Sequence, residues 1–555
     1  MVSILESMTL EQKVGQMFMA GFPDEFQGAL PDSARHLISR RFIGGFVAVA
    51  RNARTPLVMK ALTLALQREA RDSGALAPLF IMSDYEGGIV MPIAQGVCTF
   101  PGPMATCATG DLDLARDAAR VMGIEARAMG ISIVASPVVD VNLDASNPII
   151  GVRAFSDDPG QVCAFTEATV SGYCAAGVIA VAKHFPGHGR TCVDSHESLP
   201  HLDVSASELQ QVELAPFQAA VSSGVPMIMT AHIACEAFDS RPNMPATLSR
   251  PILTGLLRQQ MGFDGLIITD CLEMRAVRDL YGPGEAAVAS VIAGADIVLL
   301  CHTLTAQEEA IRCVLEAVQS GLIPEARIDE SVLRILRAKS KWLGGFDSAL
   351  EGYGLELGMI GSPESRALEE CVARSSVTVV RNDRKVLPVA IGQVGSVAVV
   401  YPETMPLLRA EDLLDSTSVL ADSLRARCAR VIETRFRLDP TDEDIACALA
   451  SAHEADIVIA ATSCKTQSHQ AAQARMVHAL LRTGRPVVAI AIRNPYDILA
   501  YPEVDTYLVT YGYRECSIKA AVEVILGDIT PKGRLPVAIP GLYPRGHGLS
   551  DGWNQ

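Results

Sequence analysis

Apolar runs of strand length recur along this chain, and each is separated from the next by a stretch with helical spacing. The runs are IGGFVAVA at 43–50, APLFIMSD at 77–84, ISIVASPVVDVN at 131–142, VIAVAKHF at 178–185, PMIMTAHI at 226–233, GLIITD at 265–270 and ADIVLL at 295–300. The helical stretches between them include 55–72, 111–129, 206–223 and 304–319. Continuously apolar strands joined through helices predict a parallel sheet covered on both faces. About eight such units fit before residue 345, the size of a (β/α)8 barrel. An open doubly wound sheet is the alternative. The barrel is favoured because polar residues stand at the C-terminal ends of several different runs: Asp84, Asp140 with Asn142, Lys183 with His184, His232, and Asp270. In a barrel those ends converge on one mouth.

Past residue 345 the chain passes through a Gly- and Ser-punctuated stretch, expected to be a linker over 346–370. A second alternation then begins with SVTVVRND, GSVAVVYP, DIVIAAT, RPVVAIAI and DTYLVTYG. It predicts an α/β domain over 371–555 with about five parallel strands. No G-x-G-x-x-G occurs there, so a dinucleotide reading lacks its fingerprint.

With 49% hydrophobic and 20% charged residues and a mean hydropathy of +0.25, the chain is apolar for a globular protein. No run approaches the ~18–20 residues of a spanning helix, so the excess is expected to be core. The first residues, MVSILESMTLEQKVGQMF, show no basic start before a greasy block, so no secretory signal is read and a cytoplasmic location is expected. Fourteen cysteines lie singly, several within apolar runs (Cys163, Cys174, Cys301, Cys447), without C-x-x-C spacing; reduced core thiols are expected. A net charge of −16 with no basic cluster argues against nucleic acid or anionic lipid as partner.

The densest polar segment is KHFPGHGRTCVDSHESLP, 183–200, directly after the apolar run VIAVA. His184, His188, His196 and Asp194 could supply metal ligands, but Pro186, Gly187 and Gly189 make a loop rather than the helical H-x-x-x-H spacing. A purely structural turn is a second reading. The third pairs Asp194 with His196: in an extended D-S-H the two side chains project to one side, so the carboxylate can hold one ring nitrogen and leave the other as a positioned acid. Asp270 closes an apolar strand, where a carboxylate is either a cap for the next helix or a working group. With an acid across the mouth it would give the retaining glycosidase arrangement, and here a His–Asp dyad would replace the usual carboxylic acid.

The segments SDYEGG (83–88), NPIIGVRAFSDDP (147–159), KHFPGHGRTCVDSHESLP and ITDCLEM, in that order, resemble glycoside hydrolase family 3, in its bacterial β-N-acetylglucosaminidase branch. In the second domain SSVTVVRNDRKVLPV and GRLPVAIPGLYP are similar to the family's C-terminal α/β sandwich domain. The resemblance implies a retaining double displacement with Asp270 as nucleophile, His196 as acid/base and Asp194 as its orienting partner. It also places Asp84, Arg153, Lys183 and His184 at sugar-hydroxyl contacts. The family commonly writes its first motif D-Q-E-G-G-R-V-x-R. Here Tyr85, Ile89 and Pro92 replace the glutamine and both arginines, so one polar anchor is expected to be lost.

The expected activity is therefore exo-β-N-acetylglucosaminidase action on small glycoconjugates such as muropeptide fragments, with a small carbohydrate as partner and no metal or redox cofactor. A β-glycoside phosphorylase or β-glucosidase of the same family is the alternative enzyme. A sugar-binding protein on a degenerate barrel is the alternative without catalysis.

Overall fold

The computed structural model describes residues 1–390, 394–403, 407 and 419–550; the final residues of the second predicted domain, 551–555, lie outside them. Eight strands form the first sheet: β1 Phe18–Ala20, β2 Gly45–Val47, β3 Phe80–Ser83, β4 Ile133–Val134, β5 Ile179–Phe185, β6 Met227–Thr230, β7 Leu266–Ile268 and β8 Val298–Leu300. Their order is β7-β6-β5-β4-β3-β2-β1-β8, and every ladder is parallel. The two ends of the sheet meet through a parallel bridge, Ile268 with Ile297, which closes the barrel. Every residue of these strands is buried, as strands walled by barrel interior and helices must be.

Helices fall where the spacing predicts them, with one exception. Pro56–Asp72 starts behind Thr55, whose side chain accepts from Val58 N, and Leu112–Ala128 starts behind Asp111 in the same way. The expected helix at 206–223 is two helices, Ala206–Gln211 and Leu214–Ser222. Pro216 has no N–H to donate and its ring would clash with the carbonyl of residue 212, so it is tolerated only in the first turn of a new helix.

The second sheet has six strands, ordered β11-β10-β12-β13-β14-β9. They are β9 Thr378–Asn382, β10 Val397–Pro402, β11 Val431–Phe436, β12 Ile457–Thr462, β13 Val487–Ala491 and β14 Thr506–Val509. All pairs are parallel except β14–β9, which is antiparallel, so the run SVTVVRND forms an antiparallel edge strand instead of the first of five parallel ones. The sixth strand, β11, is the half-exposed edge VIETRF. Of the four cysteines expected in the core, Cys447 faces outward from the helix Asp442–His453, and Cys163, Cys174 and Cys301 are half-buried. No described helix is long and apolar enough to cross a membrane.

The two sheets share more than a covalent link. The core of the second sheet takes in Ile89, Val90, Met104, Val138, Ile149, Ile150 and Val152 from the barrel's mouth loops. Asn142 Nδ2 donates to Tyr496 Oη at 2.8 Å, Ala538 N donates to Asp157 Oδ2 at 2.8 Å, and Arg545 bridges Asp157 and Asp158 at 2.7 and 2.9 Å. Arg514 donates to the carbonyl of Gly88. Gly88 has φ +59°, and a Cβ there would meet Gly102 Cα at 2.6 Å, so this close approach requires glycine.

Candidate active site

The polar strand ends do converge. A cavity of about 450 Å3 at the C-terminal end of the barrel is lined by Asp84, Arg153, Lys183, His184, His196 and Asp270, among others, which brings six of the seven expected site residues into one space. Asp194, the seventh, stands behind the wall.

Asp194 holds His196. Its Oδ1 accepts from His196 Nδ1 at 2.8 Å and from the backbone N–H of His196 at 2.9 Å, while its own carbonyl accepts from Glu197 N and Ser198 N. The D-S-H segment is thus a tight turn, not the extended stretch expected; the aspartate side chain bonding to the backbone two residues on is the local driver of that turn. The outcome for the ring is the same, with Nδ1–H anchored and the imidazole on the cavity wall. Burial works to raise the Asp194 pKa, but the hydrogen bonds and charge of His196, with a smaller contribution from Lys465 of the second domain, hold it down at about 2.

The loop that carries this turn is fixed from three sides. Asn147 Nδ2 donates to the carbonyls of His188 and Thr191 at 2.9 Å each, and its Oδ1 accepts from Ile149 N and Ile150 N. Asp140 accepts His188 N at 2.6 Å and His184 Nδ1 at 2.8 Å. The His188 ring reaches Ser195 Oγ at 3.1 Å, and burial pushes its pKa down to about 4, so it serves as a neutral prop inside the loop. At Gly189 an added Cβ would lie 1.8 Å from the carbonyl oxygen of Val141, which explains the glycine. The rings of His184, His188 and His196 have separate side-chain partners in Asp140, Ser195 and Asp194, and among the described residues no group of three or more His, Cys, Asp and Glu is arranged to hold a metal ion.

Asp270 follows β7 and accepts the N–H of Cys271 at 2.7 Å. It does not cap a helix, since the next one, Arg275–Ala293, begins after Met274. Burial alone would raise its pKa. The positive potential of His232, then His184 and His196, outweighs that, and the carboxyl is held below its ordinary value as an anion.

A buried ion network forms the other wall. Arg153 Nε and Nη2 each donate at 2.8 Å to the two oxygens of Glu86, a bidentate pair. Lys183 Nζ lies 2.7 Å from Glu86 and 2.8 Å from Asp84. Burial would raise the Glu86 pKa, yet Arg153 and Lys183 bring it down to about 2; the two cations are themselves raised against their own desolvation, Arg153 mainly by Glu86 and Lys183 by Asp84 and Glu86. Arg153 belongs to the short 3-10 turn Gly151–Arg153, and Gly151, at φ +47°, packs so closely on Asn494 of the second domain that a Cβ would sit 2.7 Å from its Oδ1.

Of the three motif departures, Tyr85 is fully buried and Ile89 is packed into the inter-domain core, while Pro92 lines the cavity. Arg51 and Arg54, directly after the run 43–50, also line it. Sequence reasoning did not single out these two, nor Glu86, Cys271, Glu273 and His302, and it took Cys301 for a core thiol. Arg51 and Arg54 carry the same signal as Asp84 and Lys183, polarity immediately after an apolar run.

Two family models match the chain: the glycosyl hydrolase family 3 N-terminal domain over residues 9–338 and the glycosyl hydrolase family 3 C-terminal domain over 377–545. β-Hexosaminidase A of Pseudoalteromonas piscicida is 32% identical, with 92% of this chain and 91% of that protein aligned. A β-N-acetylglucosaminidase/β-glucosidase of Cellulomonas fimi is 28% identical over 96% and 94%. Among solved structures, a glycoside hydrolase family 3 β-N-acetylglucosaminidase from Paenibacillus sp. str. FPU-7 superposes with a TM-score of 0.88 at 34% identity, covering 96% of this chain and 99% of that one. Barrel, second sheet and both family models agree along the chain: it belongs to glycoside hydrolase family 3.

Proposed function

We propose that the protein is a retaining exo-β-N-acetylglucosaminidase acting on small glycoconjugates such as muropeptide fragments in the cytoplasm. One observation carries the chemistry: the Asp270 carboxylate and the His196 imidazole line the same cavity, and His196 is tethered through its Nδ1 to Asp194. In the first half-reaction Asp270 attacks the anomeric carbon and the bond to the leaving oxygen breaks. Protonated His196 gives its Nε2 proton to that oxygen, and a glycosyl ester on Asp270 results. In the second, neutral His196 takes a proton from water, the water oxygen displaces Asp270 from the anomeric carbon, and the sugar leaves with its original configuration. Asp194 stabilises the charged ring in each half-reaction and fixes which nitrogen faces the sugar. Asp84, Arg153, Lys183 and His184 are assigned to the sugar hydroxyls. The preference for an N-acetylated sugar is supported by the names borne by the relatives from Pseudoalteromonas, Cellulomonas and Paenibacillus.

The test uses an aryl N-acetyl-β-glucosaminide. Asp270→Asn is expected to lose more than about a thousandfold in turnover, and a 2-fluoro sugar is expected to leave a covalent adduct on Asp270 of the wild type. Undiminished release by Asp270→Asn removes Asp270 from the mechanism. His196→Ala slows poor leaving groups more than activated ones. A second reading lets phosphate replace water in the second half-reaction, favoured by Arg51, Arg54, Arg153 and Lys183 on the same cavity. Formation of a sugar 1-phosphate in phosphate buffer decides for it.

A further inference from the structure

Cys271 directly follows Asp270, three residues past the end of β7, and Cys301 directly follows β8. These strands are the two ends of the sheet, joined at the barrel seam, and the backbone bonding across the seam continues past β7 through Leu272 N to Leu299 O at 2.9 Å, which sets the segment of Cys271 beside that of Cys301. Cys301 N donates to Cys271 Sγ at 3.3 Å, and the Cys271 thiol lies 3.9 Å from Glu273 Oε2. Both residues line the sugar cavity, so a small solute that enters it reaches them. Cys271 N donates at 2.7 Å to Asp270 Oδ1, which ties the peptide bearing this thiol to the carboxylate assigned as nucleophile. Glu273, which accepts from His302 N at 2.6 Å and Thr303 N at 2.9 Å, clamps the loop after β7, which carries Cys271, to the loop after β8, which carries Cys301.

We propose that Cys271 and Cys301 form a reversible oxidation site in the barrel mouth, at which a small peroxide converts the pair to a disulfide and stops turnover. The thiolate of Cys271 attacks the peroxide, the O–O bond breaks, and Cys271 sulfenic acid forms with release of water or alcohol. Cys301 sulfur then attacks the sulfenic sulfur, the S–O bond breaks, and hydroxide leaves with the Cys301 proton as a second water. The two thiols lose two electrons and two protons in all, and the peroxide takes them up. The chemistry of Cys271 is set apart from that of the other buried thiols: burial pushes Cys98, Cys107 and Cys235 up, whereas Cys301, aided by His302, pulls Cys271 down against its burial and the charge of Glu273, and Cys301 is raised. The thiol site stands on the contact of Cys301 N with Cys271 Sγ and on the place of both residues in the cavity wall; the loss of turnover rests on the glycosidase reading above.

The test treats the full-length reduced protein with submillimolar hydrogen peroxide, followed by peptide mass spectrometry without reduction and by turnover of the aryl glycoside. A Cys271–Cys301-linked peptide two hydrogens lighter than its reduced form is expected before any other, with at least a tenfold fall in turnover that dithiothreitol reverses. Cys301→Ser, compared with its own untreated rate, is expected to lose turnover without recovery, because Cys271 then oxidises past the sulfenic stage. The proposal is overturned if the exposed Cys192, Cys371 and Cys447 oxidise while no 271–301 link forms, if the linked protein turns over unchanged, or if Cys301→Ser recovers as fully as wild type. A reduced protein with no glycosidase activity at all would refute the function proposed above, and the linked peptide would still establish the thiol pair.

Discussion

Replacing Glu86 by glutamine keeps its shape and removes one charge from a buried cluster, leaving Arg153 without its bidentate partner, with only the more distant charges of Asp84 and Asp140, and Lys183 paired with Asp84. Its pKa of about 2 against an ordinary 4.5 corresponds to about 3 kcal/mol of stabilisation at neutral pH. That sum lies at the lower end of the ~3–5 kcal/mol lost when one partner of a buried ion pair is removed. Because the folded-state value is depressed, the contribution is complete above the unfolded pKa and is lost as the pH falls toward about 2. For a barrel of about 330 residues, whose unfolding entropy is near 0.7 kcal/mol per degree, the deficit at pH 7 translates to a melting temperature lower by about 4–5 °C. Scanning calorimetry of wild type and Glu86→Gln at pH 7 and pH 3 reads both the size and the sign: the gap is expected to shrink by more than half at pH 3, where this glutamate is already protonated in the unfolded state while still charged in the folded one. A melting temperature within 1 °C of wild type at pH 7 would refute the electrostatic account. A gap of equal size at both pH values would refute it too, since packing would then be the cause.

Two further expectations follow from named groups. Asp194→Asn removes the negative charge that fixes His196 Nδ1–H, so kcat on poor leaving groups is expected to fall about 10²–10⁴-fold with smaller losses on activated aryl glycosides; equal loss on both would mean the aspartate only holds the loop. Lys339, buried beneath the barrel with Nζ donating to Gln16 Oε1 at 2.7 Å and Gly44 O at 2.8 Å, is lowered by burial to about 7, so the folded state binds fewer protons than the unfolded one between there and 10.5 and gains stability as pH rises through that window. Between pH 7 and 8.5 this amounts to about 2 kcal/mol, measured as the difference in urea-unfolding free energy, and Lys339→Met is expected to flatten the rise; an unchanged slope would remove Lys339 as its source.

What the chain declared in advance was set by local chemistry. Strands walled on both faces leave long apolar runs, so seven of the eight barrel strands were legible; β1 was hidden because Phe18–Ala20 is three residues long and abuts a helix, Leu10–Gln16, whose apolar positions merge with it. The direction of β9 and the existence of β11 were not legible, since an antiparallel edge leaves the same apolar run as a parallel neighbour, and VIETRF alternates too weakly to stand out. Asp84, Lys183 and Asp270 could be named from their positions after strands. Glu86 could not be told from a surface acid, because its value depends on Arg153, 67 residues away. Cys301 and Cys271 read as ordinary core thiols until the closing of the seam between β7 and β8 set them side by side.

The turn that presents Arg153 to the cavity rests its Gly151 on Asn494, a residue with no part in the barrel. The guanidinium's aim is therefore inherited from a neighbouring fold, much as a telescope's pointing depends on its mount. Substitutions along that seam of contact can retune which face of a bound ring is gripped while every residue the ring touches stays the same.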